Sequence, residues 1–324
     1  MRRFFTSICM AAVCLLAACA PKPVRLEMFM LDTFVTLTVY GSAEALNNAY
    51  ALCEAYEEQL SRTRGGDVAR VNAANGVAVQ VLPETAALLQ EALAYSWMSG
   101  GFFDITIGKV SALWDFTSGE DVLPHADDIE DALAGVGYEN IVIDGNSVRL
   151  TNGAQLDLGA IAKGYISDRV ADSLRDAGVA AVVSLGGNIV TVGNRPGGEA
   201  WAIAVRKPFA PEGENVGVLR FRGDRAVVTT GVYERSFTLD GVFYHHILDP
   251  VTGYSAVSDL ASVTVLHASG MAADALGTVV FGMGADKGLE FLNKLPGTEG
   301  VLITMDGEIL TTTGFGDDIQ FTEQ

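Results

Sequence analysis

The chain has almost no cysteine outside its first twenty residues. Of four in 324 residues, Cys9, Cys14 and Cys19 come early and Cys53 stands alone in the rest. No internal disulfide can form in that part, so stability must come from an apolar core, which a 49% hydrophobic chain of this length can build. Cys53 lies in a helical run and reads as a small buried hydrophobe rather than a nucleophile. Basic residues are scarce too: 21 Lys and Arg against 40 Asp and Glu give a formal net charge of −19. Nucleic acid and anionic lipid are poor partners for that surface, and a phosphate-bearing ligand would need a metal or local Lys/Arg at its site. Also missing are a Cys-x-x-Cys pair, a Walker phosphate loop and a Gly-x-Ser-x-Gly elbow, so nucleophile-based hydrolysis has no support. Gly282-Met-Gly284 falls inside or at the end of a helical stretch instead of after a strand, which removes Rossmann dinucleotide binding. There is no internal repeat and no break in composition that would mark a domain boundary.

What is present begins with a signal. Met1-Arg-Arg-Phe-Phe5 leads into an apolar run from Ile8 to Ala18, too short to span a bilayer as a helix, and small residues precede Cys19. Leu16-Ala-Ala-Cys19 resembles the bacterial lipobox. That resemblance implies a signal peptide over 1–18, a lipidated Cys19 with a tether over 19–25, and a protein held on the outward face of a bacterial membrane, periplasmic or extracellular. An ordinary cleaved signal and an N-terminal core helix are the alternatives.

Beyond the tether, Phe34 to Tyr40 alternates as a strand, and helices are expected over Ala43–Leu60 and Thr85–Ser99, the latter after Pro83 and before Gly100-Gly101. Two strands from Ile141 to Leu158 flank Asp144-Gly-Asn146. Val179 to Val192 reads as strand, Gly186-Gly-Asn188 turn, strand, and Asp240-Gly241 centres another hairpin within Phe237–Leu248. This mixed order argues an α+β fold with largely antiparallel sheets and packed helices, in place of a doubly wound parallel sheet.

Two helix starts carry chemistry. In Gln155-Leu-Asp-Leu-Gly-Ala-Ile-Ala-Lys-Gly-Tyr165 an apolar run with one acid stops at a glycine and opens into an amphipathic helix, with Ile161, Ile166, Val170 and Leu174 on one face. Free amides and the positive dipole end there favour a phosphate, although an acid that merely caps the helix fits as well. In Ser269-Gly-Met-Ala-Ala-Asp-Ala-Leu-Gly-Thr278, Asp274 and Thr278 stand four apart on one helix face. A carboxylate and a hydroxyl suit Mg²⁺; a dipole-stabilising Asp and a Thr bonded back to the fourth preceding carbonyl fit equally.

Seven segments in order resemble the motifs of the ApbE family of FAD:protein FMN transferases: Leu31-Asp-Thr33, Gly101-Phe-Phe-Asp-Ile-Thr106, Leu156 to Tyr165, Leu185-Gly-Gly-Asn188, Tyr233-Glu-Arg235, His246-Ile-Leu-Asp-Pro-Val-Thr-Gly253 and Ala273-Asp-Ala-Leu-Gly-Thr278. The resemblance runs from about residue 26 to 315 and implies an ApbE-like single catalytic domain over 26–324. It implies an enzyme that takes FAD as substrate and, with Mg²⁺, moves FMN onto a threonine hydroxyl of an acceptor redox protein, releasing AMP. By that resemblance the metal falls to Asp274, Thr278 and the backbone oxygen of Ala160, and FAD contacts fall to Leu31, Phe102, Phe103, Asp104, Asp157, Lys163 and Ile247. The sequence departs from the family at Asp32, often Gly, at Thr63, often Tyr, and at Gly277, an acid in some members. His246 is the candidate base, because His245 and His246 cannot face the same side of one strand and the family motif places the second before Ile-x-Asp-Pro; a strand-edge histidine bonded to a carbonyl is its alternative. Arg235 offers a fork for phosphate or carboxylate, or an exposed salt bridge. Gly186-Gly-Asn188 either lets backbone approach the ligand or is a plain hairpin. An Mg²⁺-dependent FAD pyrophosphatase giving FMN and AMP, and a lipid-anchored FAD-binding protein without turnover, compete with the transferase reading.

Overall fold

Strands and helices start and stop where the sequence supplies their terminators. The structure, a computed structural model, describes residues 21–211 and 213–324, so the signal segment and Cys19 lie outside the described residues. β1 (Pro23–Met30) and β2 (Thr33–Tyr40) pair about a two-residue turn in which Leu31 and Asp32 both take positive φ, 54° and 53°. Such a turn favours Asn and Gly. Here distant side chains hold it: the Leu31 N–H donates to Glu57 Oε1 at 2.8 Å, and the Asp32 carbonyl accepts from Arg235 Nη2 at 2.7 Å. α1 (Ala43–Leu60) is capped by the Ser42 hydroxyl, which accepts from the Ala45 N–H. After α2 (Asp67–Ala73) and β3 (Val79–Gln80), α3 (Pro83–Met98) begins with Pro at its first position and ends before Gly100-Gly101, both at positive φ.

Then come the short α4 (Gly108–Ser111), α5 (Ala126–Leu133) and the hairpin of β4 (Ile141–Asp144) and β5 (Ser147–Leu150). The strand expected to reach Leu158 stops at Leu150. Beyond it the backbone is held by other partners: the Asn72 side chain, distant in sequence, accepts from the Leu156 N–H at 2.7 Å and donates to the Leu156 carbonyl at 3.0 Å, and Gln155 bridges to Ile107. Residues 151–161 therefore form a fixed but irregular approach to α6 (Ala162–Asp176).

The remaining strands are β6 (Ala180–Leu185), β7 (Asn188–Val192), β8 (Trp201–Arg206), β9 (Asn215–Phe221), β10 (Arg225–Gly231), β11 (Ser236–Leu239), β12 (Val242–His245) and β13 (Leu260–His267). α7 (Gly270–Met283), α8 (Ala285–Lys294), β14 (Glu299–Thr304), β15 (Ile309–Thr311) and β16 (Ile319–Glu323) complete the chain. An eight-stranded sheet runs β1-β2-β6-β7-β10-β13-β14-β15 with antiparallel pairings throughout. Smaller antiparallel sheets, β16-β9-β8, β3-β5-β4 and β11-β12, surround it. The fold is thus α+β with largely antiparallel sheets, as its sequence predicts.

Alternation decides which face packs where. Val35, Leu37 and Val39 of β2 join Ile166, Val170, Leu174, Val279 and Val280 in a core between the large sheet and its helices. On the other face, Trp201, Ile203, Val205, Leu219 and Phe221 of the β8–β9 ladder pack on Val227, Leu266, Val301 and Ile303. α7 is buried nearly all round, as its apolar sequence requires. A third cluster, with Val110, Trp114, Ile129, Phe237 and Leu248, seats the β11–β12 hairpin on α4 and α5. That seat sets where His245 and His246 stand.

Candidate active site

α6 and α7 cross so closely that only glycine fits at the contact. A Cβ on Gly164 would lie 2.2 Å from the Gly270 carbonyl oxygen and 2.7 Å from Asp274 Cβ. The closeness has a chemical result: the Gly164 N–H donates to Asp274 Oδ2 at 2.9 Å, 110 residues away in sequence. In a regular helix that N–H would bond to the carbonyl of Ala160. Diverting it leaves the Ala160 oxygen with no hydrogen bond among the described residues.

Asp274 is 5% exposed and takes part in no ion pair among the described residues. Burial pushes its carboxyl above the usual carboxylate range, against the pull of Lys163 and the Gly164 N–H. A buried carboxylate without a cation is an unfinished arrangement. One helical turn on, the partly exposed Thr278 has no hydrogen bond from its hydroxyl to the Asp274 carbonyl, so the back-bonded alternative does not hold. The oxygens that Asp274, Thr278 and the Ala160 carbonyl could offer a cation form an oxygen-only donor set. No group of three or more His, Cys, Asp and Glu fit to hold a metal occurs among the described residues. Such a set fits Mg²⁺, which completes its shell with water and ligand phosphates, and lacks the nitrogen and sulfur that Zn²⁺ selects. Gly277 is fixed by packing instead: a Cβ there would meet Thr230 Oγ1 at 2.4 Å.

The expectation of free amides at the start of α6 is corrected. Ile161 and Ala162 both donate to the Leu158 carbonyl, and Gly164 donates to Asp274, so most of this corner is already satisfied within the protein. Lys163 supplies the positive charge there. Its Nζ donates to the Gly159 carbonyl at 3.1 Å and pairs with no carboxylate among the described residues.

His246 lies within electrostatic reach of Lys163. β12 ends at His245, short of the Leu248 expected from the sequence, so His246 stands just past the strand and alternation along it does not set its direction; the two histidines have different partners. His245 is buried; its Nδ1 accepts from the Ile247 N–H at 3.3 Å, and Nε2 lies 3.1 Å from the Ala256 carbonyl, so Nε2 carries the hydrogen. Burial lowers its pKa to about 4. His246 Nδ1 lies 3.3 Å from the Arg235 carbonyl, which can only accept. Nδ1 is therefore protonated, and neutral His246 keeps a free lone pair on Nε2. Desolvation first, then the charges of Arg235 and Lys163, lower its pKa to about 3.

The expected flavin contacts divide into two groups. Lys163 joins His246 and Asp274, and the Leu31–Asp32 turn joins the same place through Arg235. Ile247 is buried beside His246, and its carbonyl accepts from the Ala256 N–H. Asp157 follows on a neighbouring segment, accepting from Ser111 Oγ at 2.6 Å and the Gly159 N–H at 2.8 Å, with Arg62 at 3.5 Å. The Ile105 carbonyl accepts from the Asp157 N–H, which brings Phe102, Phe103 and Asp104 alongside. Phe102 stacks over Gly282 of α7, where a Cβ would be 2.2 Å from its ring. Phe103 is 1% exposed, and its ring packs against Tyr95. Asp104 is buried and clamps Thr106 through its N–H and hydroxyl, and burial raises its pKa. A cavity of about 340 Å³ lies elsewhere: His245, Phe243 and Phe281 line it, and none of the expected flavin contacts does.

Sequence reading missed Asp168. From α6 its carboxylate accepts from the Ser269 hydroxyl at 2.7 Å and from the N–H groups of Gly270 and Met271 at 2.6 and 3.0 Å, pinning the start of α7. The signal was visible only as an acid on a helix face, without a partner in sequence.

The model of the ApbE family matches residues 31–302. The chain belongs to the ApbE family. This ApbE-family protein is 36% identical over 291 residues to the FAD:protein FMN transferase of Klebsiella pneumoniae, covering 88% of this chain and 90% of that one. It is 33% identical over 295 residues to the FAD:protein FMN transferase of Treponema pallidum, with 85% and 81% covered. Its fold matches the crystal structure of the ApbE protein of Thermotoga maritima with a TM-score of 0.82 at 32% identity, over 90% of this chain and 97% of that one.

Proposed function

We propose that this protein transfers the FMN half of FAD to a threonine hydroxyl of an acceptor protein, releasing AMP, and that it requires Mg²⁺. The observation that carries the reading is the meeting, around Lys163, of a buried carboxylate outside any ion pair among the described residues, Asp274, and an imidazole with a free Nε2, His246. Bound there, Mg²⁺ would be held by Asp274, Thr278 and the Ala160 carbonyl, and it would neutralise charge on the pyrophosphate oxygens. Lys163 and Arg235 give a strongly acidic protein a local positive site for the same anion. The acceptor hydroxyl loses its proton to His246 Nε2 and its oxygen bonds to the FMN phosphorus. The bond from that phosphorus to the bridging oxygen breaks, and AMP leaves with the oxygen.

A base with a pKa near 3 is a weak one. Desolvation is the first cause of that lowering; the negative charge of the pyrophosphate would offset the second and third, Arg235 and Lys163, and so favour proton uptake by His246.

The reading extends to place and partner. Residues 1–18 act as the signal and Cys19 as the lipid anchor, followed by a tether over 19–25 and the transferase domain over 26–324, and the acceptor is a redox protein on the same outward membrane face. The test follows intact mass of a threonine-bearing acceptor incubated with protein, FAD and Mg²⁺, with AMP and free FMN measured alongside. Mg²⁺-dependent gain of one FMN on the acceptor supports the proposal. AMP and free FMN in equal amounts, with no acceptor gaining mass, would point to a pyrophosphatase, and FAD bound but unchanged to a binding protein.

A further inference from the structure

β7 presents Asn188, Val190 and Val192 to the helix-covered face of the large sheet, while Ile189 faces the other side. Val190 reaches α7: a Cβ on Gly270 would lie 3.3 Å from its Cγ2. Asn188 thus holds a core position beneath the crossing of α6 and α7, where the same face of the strand otherwise carries valine. It is 1% exposed, and its Nδ2 has no hydrogen-bond partner. Strand pairing does not require the amide, since opposite Leu185 and Val228 the backbone alone makes the ladder. A buried donor left without an acceptor is unfavourable, and an aliphatic side chain of similar size would avoid it.

The amide has one neighbour that explains it. β7 packs against both α6 and α7, and from its helix-covered face the Asn188 amide acts on the Asp274 carboxylate in favour of its charged form without completing a hydrogen bond. Asp274 Oδ2 is already turned to the Gly164 N–H. A carboxylate that holds a cation needs its other lone pairs fixed by neighbouring donors, and such donors are worth large factors in metal affinity.

We propose that Asn188 is a positioning residue for Asp274: its side-chain amide donates to the carboxylate when a divalent cation is bound, keeping a carboxylate oxygen aimed at the ion. The inference rests on the cation reading of Asp274, Thr278 and Ala160. Asn188 itself touches neither ion nor flavin in this account.

The test titrates Mn²⁺ alone into the metal-free full chain, counts the bound ion by electron paramagnetic resonance, and records thermal unfolding without metal. Asn188→Leu and Asn188→Ala are compared with Asp274→Asn. Asn188→Leu should weaken Mn²⁺ binding about 10- to 100-fold while leaving the metal-free melting temperature unchanged or higher, since the orphaned donor is gone. Folded Asn188→Leu or Asn188→Ala protein that binds Mn²⁺ as the parent does, while Asp274→Asn does not, would overturn the inference and leave the cation site standing. A lowered melting temperature with unaltered affinity would do the same. Unchanged Mn²⁺ affinity in Asp274→Asn would instead remove the cation reading, and the role of Asn188 with it.

Discussion

The starts of α6 and α7, which face each other at the centre of the molecule, are finished in opposite ways. At α7 every early donor in view has an acceptor: the Ser269 hydroxyl caps Ala272, and Asp168 takes Gly270 and Met271. At α6 no side chain caps the helix, the N–H of Gly164 is drawn across to Asp274, and the Ala160 carbonyl is left over. One start is an anchor, and the other leaves an oxygen without a hydrogen bond among the described residues. Buried polar groups are normally paired, so the place where pairing is withheld is the place to look for a ligand. The same contrast separates the two adjacent histidines, His245 with both nitrogens engaged and His246 with one.

The contrast breaks most completely at Asp274. Asp274→Ala should lower Mg²⁺-dependent FMN transfer by about 10³-fold while FAD binding, followed by flavin fluorescence, persists; undiminished transfer would remove the metal assignment. Gly164→Ala strikes the crossing itself, forcing a methyl against the Gly270 backbone. We expect it to cost about 3 kcal/mol in urea unfolding and to abolish transfer, and a stability within ~0.5 kcal/mol of the parent would show that the helices can move apart. His246→Ala should reduce transfer about 10²-fold or more at unchanged melting temperature, whereas His245→Ala should lower the melting temperature first. Reversed outcomes for the two histidines would exchange their roles. Asp168→Asn keeps shape but removes charge from the α7 cap, so unfolding should show a loss of about 2 kcal/mol, with Mn²⁺ affinity weakened because α7 carries Asp274.

Acid sharpens the histidine half of the comparison at smaller amplitude. Both histidines stay uncharged in the fold down to about 4 for His245 and about 3 for His246, while in the unfolded chain they protonate near 6.5. The unfolded chain therefore binds more protons between about pH 6.5 and 4, and stability present above 6.5 is lost as pH falls through that window. Asp104 and Asp274, raised in the fold, work in the opposite sense, favouring the fold at acid pH and losing that contribution as pH rises above 3.8. His245→Asn should flatten the pH dependence of the urea midpoint by at most about 1.4 kcal/mol per pH unit; an unaltered slope would mean that His245 is not held neutral.

Much of this was legible in the sequence because the signals were local. Proline and paired glycines bounded α3, Ser42 and Ser269 began α1 and α7, and the Asp-Gly turn of the β11–β12 hairpin stood where expected. Asp274 and Thr278 were visible as a four-residue spacing. What escaped was non-local. Asn72 holds the backbone of Leu156, 84 residues away, Asp168 caps a helix 102 residues away, and Gly164 diverts its N–H across 110 residues. None of these has a periodicity that a sequence window can register. The burial of Phe103, a motif position expected to contact flavin, was likewise not legible from its motif. The free amides expected at α6 were assigned from the general behaviour of helix starts, and a local turn through Leu158 had already used those of Ile161 and Ala162, with Gly164 given to Asp274.

Anomalous diffraction from crystals grown with Mn²⁺ and FAD tests the central claim most directly. A single peak within about 2.5 Å of an Asp274 carboxylate oxygen, the Thr278 hydroxyl and the Ala160 carbonyl, with the flavin pyrophosphate against it and His246 Nε2 facing the phosphorus, is the predicted result. A cation bound away from these oxygens, or a flavin lodged elsewhere in the molecule with Asp274 still bare, would contradict it.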